Sequence, residues 1–263
     1  MFNLKNIIFK IVTTSCLLLL GIFFCWKLFT TKDIKKEDVL ILGTNCGFAP
    51  YEIINDNGDI EGFDIDVAKE IANKMGKKLV VKDMGFDSLI LQLKQNKIDF
   101  VIAAMSIIPS RLKEIEMVHY HGGQLQFLTL VFWKQIPVGV KSACELKDQI
   151  ICVQPGSIQE ECLLKHNFTR VKTLENVADL IMDIKYGKSI AAVLEPLVVV
   201  SLQKKYSELK ALNFELGKED KTLGHGVGIK KDNTNLICSV EEIVKELKAN
   251  GAIEKLEKKW FKK

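Results

Sequence analysis

The sequence has almost no surplus charge and almost no arginine. It carries 37 Lys and Arg against 33 Asp and Glu, with no long run of either sign. Three of the lysines, Lys5, Lys10 and Lys27, precede the first carboxylate, Asp33, so the remainder is close to neutral. A nucleic-acid-binding domain needs clustered basic charge to displace phosphate counterions, so that class is excluded as a default and no nucleic-acid partner is expected. Disorder is excluded too, because 48% of the residues are hydrophobic and the net charge is only +4, the opposite of a composition that cannot build a core. The seven cysteines include no CxxC pair and no zinc-ligand spacing, so neither a metal nor a cofactor is assigned. GxSxG, Walker A and GxGxxG elements are missing, which leaves nucleotide and hydrolase readings without a motif. Internal repeats and low-complexity tracts are also missing.

What is present begins with 263 residues, enough for one large or two smaller domains. Lys5 and Lys10 lead into an apolar run of sixteen residues, Ile11–Trp26. That is short of the about 20 residues of a membrane span and has the pattern of an export signal. No small-x-small cleavage site follows, so an uncleaved anchor stays open. As a lipid attachment point, Cys25 is a poor fit behind Phe24, and Cys16 lies too early in the run. Without this segment five cysteines remain: Cys46, Cys144, Cys152, Cys162 and Cys238. In an oxidising space one or two disulfides can form, with a thiol left over.

Past a charged linker at Lys32–Asp38, apolar runs alternate with helical periodicity. Val39–Gly43 reads as a strand, and Asn55–Asp59 as a hairpin turn between Tyr51–Ile54 and Ile60–Phe63. Val67, Ala68, Ile71, Ala72 and Met75 share a helix face that Gly76 closes. Leu79–Val81 and Phe100–Ala104 read as strands around a helix marked by Leu89, Ile90 and Leu93. After a pause at His121-Gly122-Gly123, Phe127–Trp133 carries the chain into a second lobe. There Ile150–Val153 and Ile190–Leu194 read as strands, with helices at Gln159–His166, Asn176–Lys185 and Leu197–Lys205. A glycine-rich strand, Gly224–Ile229, precedes helices at Leu236–Ala249 and Ile253–Phe261. The alternation predicts an α/β fold with a parallel-type sheet.

Only Arg111 and Arg170 are arginines; the other basic residues are lysine. A guanidinium grips a carboxylate through two parallel hydrogen bonds, which an ammonium cannot do. Arg111 and Ser106 follow the strand Phe100–Ala104, and ligands of open α/β sheets bind beyond such strand ends. Phe48 and Phe86 also follow strands and can flank a ligand, although core packing is the plainer role for an aromatic. Glu195 follows Ile190–Leu194 and can pair with an ammonium or act as a base; with Pro196 next to it, an exposed helix start is the alternative. Gln154-Pro155-Gly156-Ser157 joins strand to helix, where backbone N–H groups can meet an anion. His119-x-His121 lacks a third ligand nearby, so it is not read as a metal site.

Together these features resemble the extracytoplasmic solute-binding proteins of polar amino-acid ABC transporters, the bacterial family 3 type. The matching stretches are Gly43-Thr44-Asn45 with Pro50-Tyr51, Gly62-Phe63-Asp64-Ile65-Asp66, Phe86-Asp87-Ser88-Leu89-Ile90, Asp99 with Met105-Ser106-Ile107 and Arg111, Gly156-Ser157, Val193-Leu194-Glu195-Pro196 and Gly228-Ile229. The chain looks most similar to the arginine-binding members. The resemblance implies a two-lobed periplasmic-binding-protein fold of type II. Residues 1–37 would be signal or anchor and linker, 38–122 plus 221–263 the first lobe, and 127–217 the second, with two crossovers as hinge. It also implies that Arg111 holds a ligand α-carboxylate, helped by Ser106 and backbone groups near Ala104, while Glu195 takes the α-ammonium and Met105 is counted among the ligand-binding residues. Phe48 and Phe86 would flank the side chain, with Asn45, Gln154, Ser157, Ile158 and Gln159 completing the pocket.

Departures from the family pattern bear on the ligand. Asn45 stands where Asp often favours a cationic side chain, Ala103 and Ala104 replace more polar residues, and Ile158 takes a Thr-like position. Arginine is the first expectation and glutamine or another polar amino acid its rival. The expected partners are the free amino acid and the membrane permease of an ABC importer. The protein is expected to be a monomer in the periplasm or on the outer face of a bacterial membrane. A dehydratase-like enzyme using Glu195 is the reading of another class; the apparent lack of a second titratable group opposite Glu195 counts against it. A sensor or channel domain is disfavoured because no kinase or pore segment follows.

Overall fold

Strand β1 (Val39–Thr44) opens the computed structural model, which describes residues 38–261. The export segment and the charged linker before Asp38 lie outside the described residues. A hairpin of β2 (Ile53–Ile54) and β3 (Ile60–Glu61) follows, turned at Asn55, whose Oδ1 accepts from the N–H groups of Asn57 and Asp59. Helix α1 (Phe63–Lys74) buries Val67, Ala68, Ile71 and Ala72, as the periodicity predicts, and Gly76 closes it at a φ of +63°. Next come β4 (Lys78–Asp83), α2 (Leu89–Lys94), β5 (Phe100–Val101), α3 (Pro109–Glu114) and β6 (Glu116–His121). The chain continues through β7 (Phe127–Trp133), β8 (Ile151–Val153), α4 (Ile158–Lys165), β9 (Val171–Thr173), α5 (Val177–Lys185), β10 (Ala191–Leu194), α6 (Pro196–Lys205) and β11 (Leu209–Glu215). It ends with β12 (His225–Ile229), α7 (Thr234–Ala249) and α8 (Ala252–Trp260).

Two five-stranded sheets result, in the orders β4-β1-β5-β12-β6 and β11-β7-β10-β8-β9. The chain passes from the first to the second between β6 and β7, and returns between β11 and β12. The α/β class is as expected, but the sheets are mixed, which corrects the parallel-type reading. β1 and β5 run parallel, as do β8, β9 and β10, whereas β12 pairs antiparallel with β5 and β6, and β7 antiparallel with β10 and β11. The antiparallel pairs involve the strands next to the crossovers. No α-helix separates β6 from β7 or β11 from β12, so no βαβ unit imposes parallel pairing there.

Two further details differ from expectation, and a third settles a point the sequence leaves open. β9 and β11 carry no sequence signal strong enough to be read. β5 ends at Val101 rather than Ala104, because the backbone turns into the left-handed region at Ala104, φ +43°, where its N–H meets Asp64. No disulfide joins any of the five described cysteines.

Candidate functional site

Five segments converge on one cavity, lined from the first sheet by Asn45, Phe48, Phe86, Ala103, Ala104, Ser106 and Arg111. From the second sheet come Gln154, Ser157, Ile158, Gln159 and Glu195. Eleven of the twelve expected residues are therefore brought together. The exception is Met105. Its side chain is buried in a core cluster with Leu89 and Leu93, while its neighbours Ala104 and Ser106 line the cavity. Of the two arginines, Arg170 lies at the surface, with a 3.4 Å bond to the Asp148 carbonyl.

Arg111 sits in the first turn of α3, which Pro109 starts. It is 6% exposed. Its Nη1 donates to the Ser106 carbonyl at 2.8 Å and its Nη2 to the Gly156 carbonyl at 3.0 Å, so it bridges both sheets' loops. The guanidinium lies 5.2 Å from the centre of the Phe86 ring, a cation–π contact that holds its plane. Burial pushes its pKa down to about 10, against the pull of Glu161 and Glu195, so it stays a cation at neutral pH.

The turn at 154–157 is already engaged with itself. The Gly156 N–H donates to the Glu160 carboxylate at 2.7 Å, and Ser157 Oγ donates to the Gln154 carbonyl while accepting from the Glu160 N–H. The Gly156 N–H and the Ser157 hydroxyl are thus spent at the head of α4 rather than left for an anion. The N–H of Ala104 is likewise taken, by Asp64 Oδ2 at 2.5 Å. Asn45 spends both ends of its amide on protein: Nδ2 donates to the Met84 carbonyl, and Oδ1 accepts from Gln154 Nε2 at 3.0 Å.

Two acidic groups face the cavity. Glu195, at the head of α6, is buried, and its Oε2 lies 3.3 Å from Nε2 of buried His225 on β12. Burial alone would lower the His225 pKa; the Glu195 and Asp64 carboxylates outweigh it and raise it. Glu52 is the residue the sequence did not offer. It lines the cavity at 1% exposure, and its Oε2 has no hydrogen-bond partner among the described residues. Burial, then Asp64 and Glu195, hold its carboxyl well above the usual carboxylate range. His225 and Glu52 also overturn the expectation that Glu195 has no second titratable group opposite it. A polar residue in the arm of a hairpin, such as Glu52, carries no signal of burial; only the fold supplies it.

The cavity thus holds a fixed guanidinium at one end and carboxyl groups elsewhere on its wall. The family model of the bacterial extracellular solute-binding proteins, family 3, matches residues 40–263. The probable ABC transporter arginine-binding protein ArtJ of Chlamydia trachomatis is 38% identical over 86% of this chain and 87% of its own. An ancestral arginine-binding protein bound to arginine superposes with a TM-score of 0.77 at 30% identity, covering 85% of this chain and 98% of that one. The ancestral arginine-binding protein bound to glutamine gives 0.78 at 30%, covering 86% and 99%.

Proposed function

The chain belongs to the bacterial extracellular solute-binding proteins of family 3, and on that premise we propose that it captures a cationic amino acid, arginine first, outside the inner membrane and delivers it to an ABC importer. The observation that carries this reading is the charge pattern of the cavity: one buried guanidinium, Arg111, and two buried carboxyl groups, Glu52 and Glu195. Arginine is the complement, with one carboxylate and two cationic groups. In this reading Arg111 grips the α-carboxylate with Ser106 beside it, and Glu195 takes the α-ammonium, shared with His225. Glu52 meets the guanidinium, and Phe48 and Phe86 flank the aliphatic stem. Asn45, Ala104, Gln154, Ser157, Ile158 and Gln159 shape the walls. Residues 38–122 with 221–263 form one lobe and 127–217 the other, and the two crossovers are the hinge on which the lobes close around the ligand.

Calorimetric titration of the twenty amino acids tests the reading. Arginine should bind most tightly, followed by lysine; binding of glutamine in preference to arginine makes Glu52 a bystander, and binding of none refutes the proposal. One observation favours a second reading, a dehydratase-like enzyme: the Glu195–His225 contact at 3.3 Å supplies a candidate acid–base pair. Turnover of prephenate-like substrates would establish it. The family supports the proposed location; no described helix is long and apolar enough to cross a membrane.

A further inference from the structure

Outside the cleft, one cluster has the composition of a metal site. Cys162 lies on α4 and His166 at its C-cap, four residues apart and thus one turn apart on one face. Asp220 reaches the same point from the short 3-10 turn Lys218–Asp220, on the segment that returns the chain from β11 to β12. One ligand atom from each of the three lies within 4.8 Å of the others. We propose that Cys162, His166 and Asp220 bind a divalent transition metal of the zinc class, with water as fourth ligand.

The donor set selects the ion. A thiolate and an imidazole suit zinc-class metals and disfavour magnesium or calcium, which take oxygen ligands. Two ligands four residues apart on a helix are a recurrent way to present a metal with adjacent donors. Zinc bonds of about 2.0–2.3 Å place tetrahedral ligand atoms roughly 3.3–3.6 Å apart. His166 Nε2 and Asp220 Oδ2, at 2.7 Å, are hydrogen-bonded, so they separate by roughly half an ångström to admit the ion. The sulfur closes in by rotation about its own side-chain bonds. Asp220 also holds the Lys165 ammonium at 2.5 Å, and that lysine side chain is 43% exposed, so it can swing into water. On binding, the Cys162 thiol releases its proton to solvent and the imidazole coordinates as the neutral form. Thiolate and carboxylate then balance the two positive charges of the ion.

Access is built in. Cys162 is shared by two surface hollows, one with His166 on its wall and the other with Asp220. An ion and its water reach the cluster from either side.

The test is titration of the full chain, without a polyhistidine tag, with ZnCl₂ and separately with CoCl₂. One equivalent of zinc should bind. Cys162→Ser and His166→Ala should each weaken it more than about a hundredfold, with arginine affinity and the thermal transition kept as controls of folding. Lys165→Ala, which removes the competing ammonium, should tighten it. Cobalt should give a near-ultraviolet thiolate charge-transfer band that disappears in Cys162→Ser and persists when Cys144 and Cys238 are both changed to Ser. Absence of saturable zinc binding overturns the proposal, as does a cobalt band that follows Cys144 or Cys238.

Discussion

Glu52 is a buried carboxyl group whose ionised form is disfavoured by burial and by the carboxylates around it. It is buried beside Asp64 and faces Glu195, and one oxygen is orphaned among the described residues. The raised pKa means that the folded protein binds this proton more tightly than the unfolded chain does. Its stabilising share is therefore complete below the ordinary glutamate pKa and declines as pH rises toward the folded value. A ligand guanidinium reverses the preference, because an adjacent cation favours the ionised form. Arginine binding should release a proton, and arginine affinity should rise with pH through the Glu52 range while glutamine affinity stays flat. Calorimetry in buffers of different ionisation enthalpy reads the proton directly. Glu52→Gln should abolish the release and weaken arginine by about 1.5–3 kcal/mol, roughly ten- to a hundredfold. An unchanged proton count would remove Glu52 from the ligand's surroundings. Arginine scarcity made Arg111 legible from sequence alone; Glu52 was not, because one glutamate among 33 acidic residues carries no mark of burial.

At the scale of elements, the loop after β5 depends on a residue from another element. Asp64, in the first turn of α1, accepts from the Ala104 N–H at 2.5 Å and from the Tyr120 hydroxyl at 2.7 Å. Those bonds hold Ala104 in the left-handed region, φ +43°, a conformation that costs a non-glycine residue about 1–3 kcal/mol and must be imposed by its surroundings. Asp64→Asn keeps the shape but has one acceptor oxygen, so one of the two donors loses its partner. The expected loss is about 1–3 kcal/mol, read as a lower urea midpoint at unchanged slope. Ligand affinity should fall as well, because Ala104 and Ser106 line the cavity. An unaltered midpoint would show the loop to be held by other contacts. Elements with long periodic patterns, such as α1 and α7, were readable, whereas β11 was not. It buries only Leu209 of its seven residues, and its pairing with β7 rather than its own pattern makes it a strand. β5 is shorter than its apolar run, which continues to Ala104, for a related reason: Asp64 draws the backbone out of the sheet.

For the whole molecule, the two sheets' loops are joined by bonds that no sequence pattern announces. Gln154 Nε2 donates to Asn45 Oδ1 across 109 residues of chain, and Arg111 Nη2 donates to the Gly156 carbonyl across 45. The sequence offers Asn45 as a weakened partner for a cationic side chain; in the fold its Oδ1 is already taken by Gln154, and under the proposed hinge closure that bond acts as a latch. Apparent affinity equals intrinsic affinity scaled by the closed fraction, so a latch tightens binding even where it contributes no ligand contact. Gln154→Ala removes one neutral hydrogen bond of about 0.5–1.5 kcal/mol, a loss of roughly two- to tenfold in affinity. If the bond acts on closure, the loss should be the same for every amino acid bound, because it enters before ligand identity does. Small-angle scattering should then show the variant more extended without ligand and equally compact at saturation. A loss confined to one amino acid would instead make Gln154 a contact of that side chain, and the closure argument would fail.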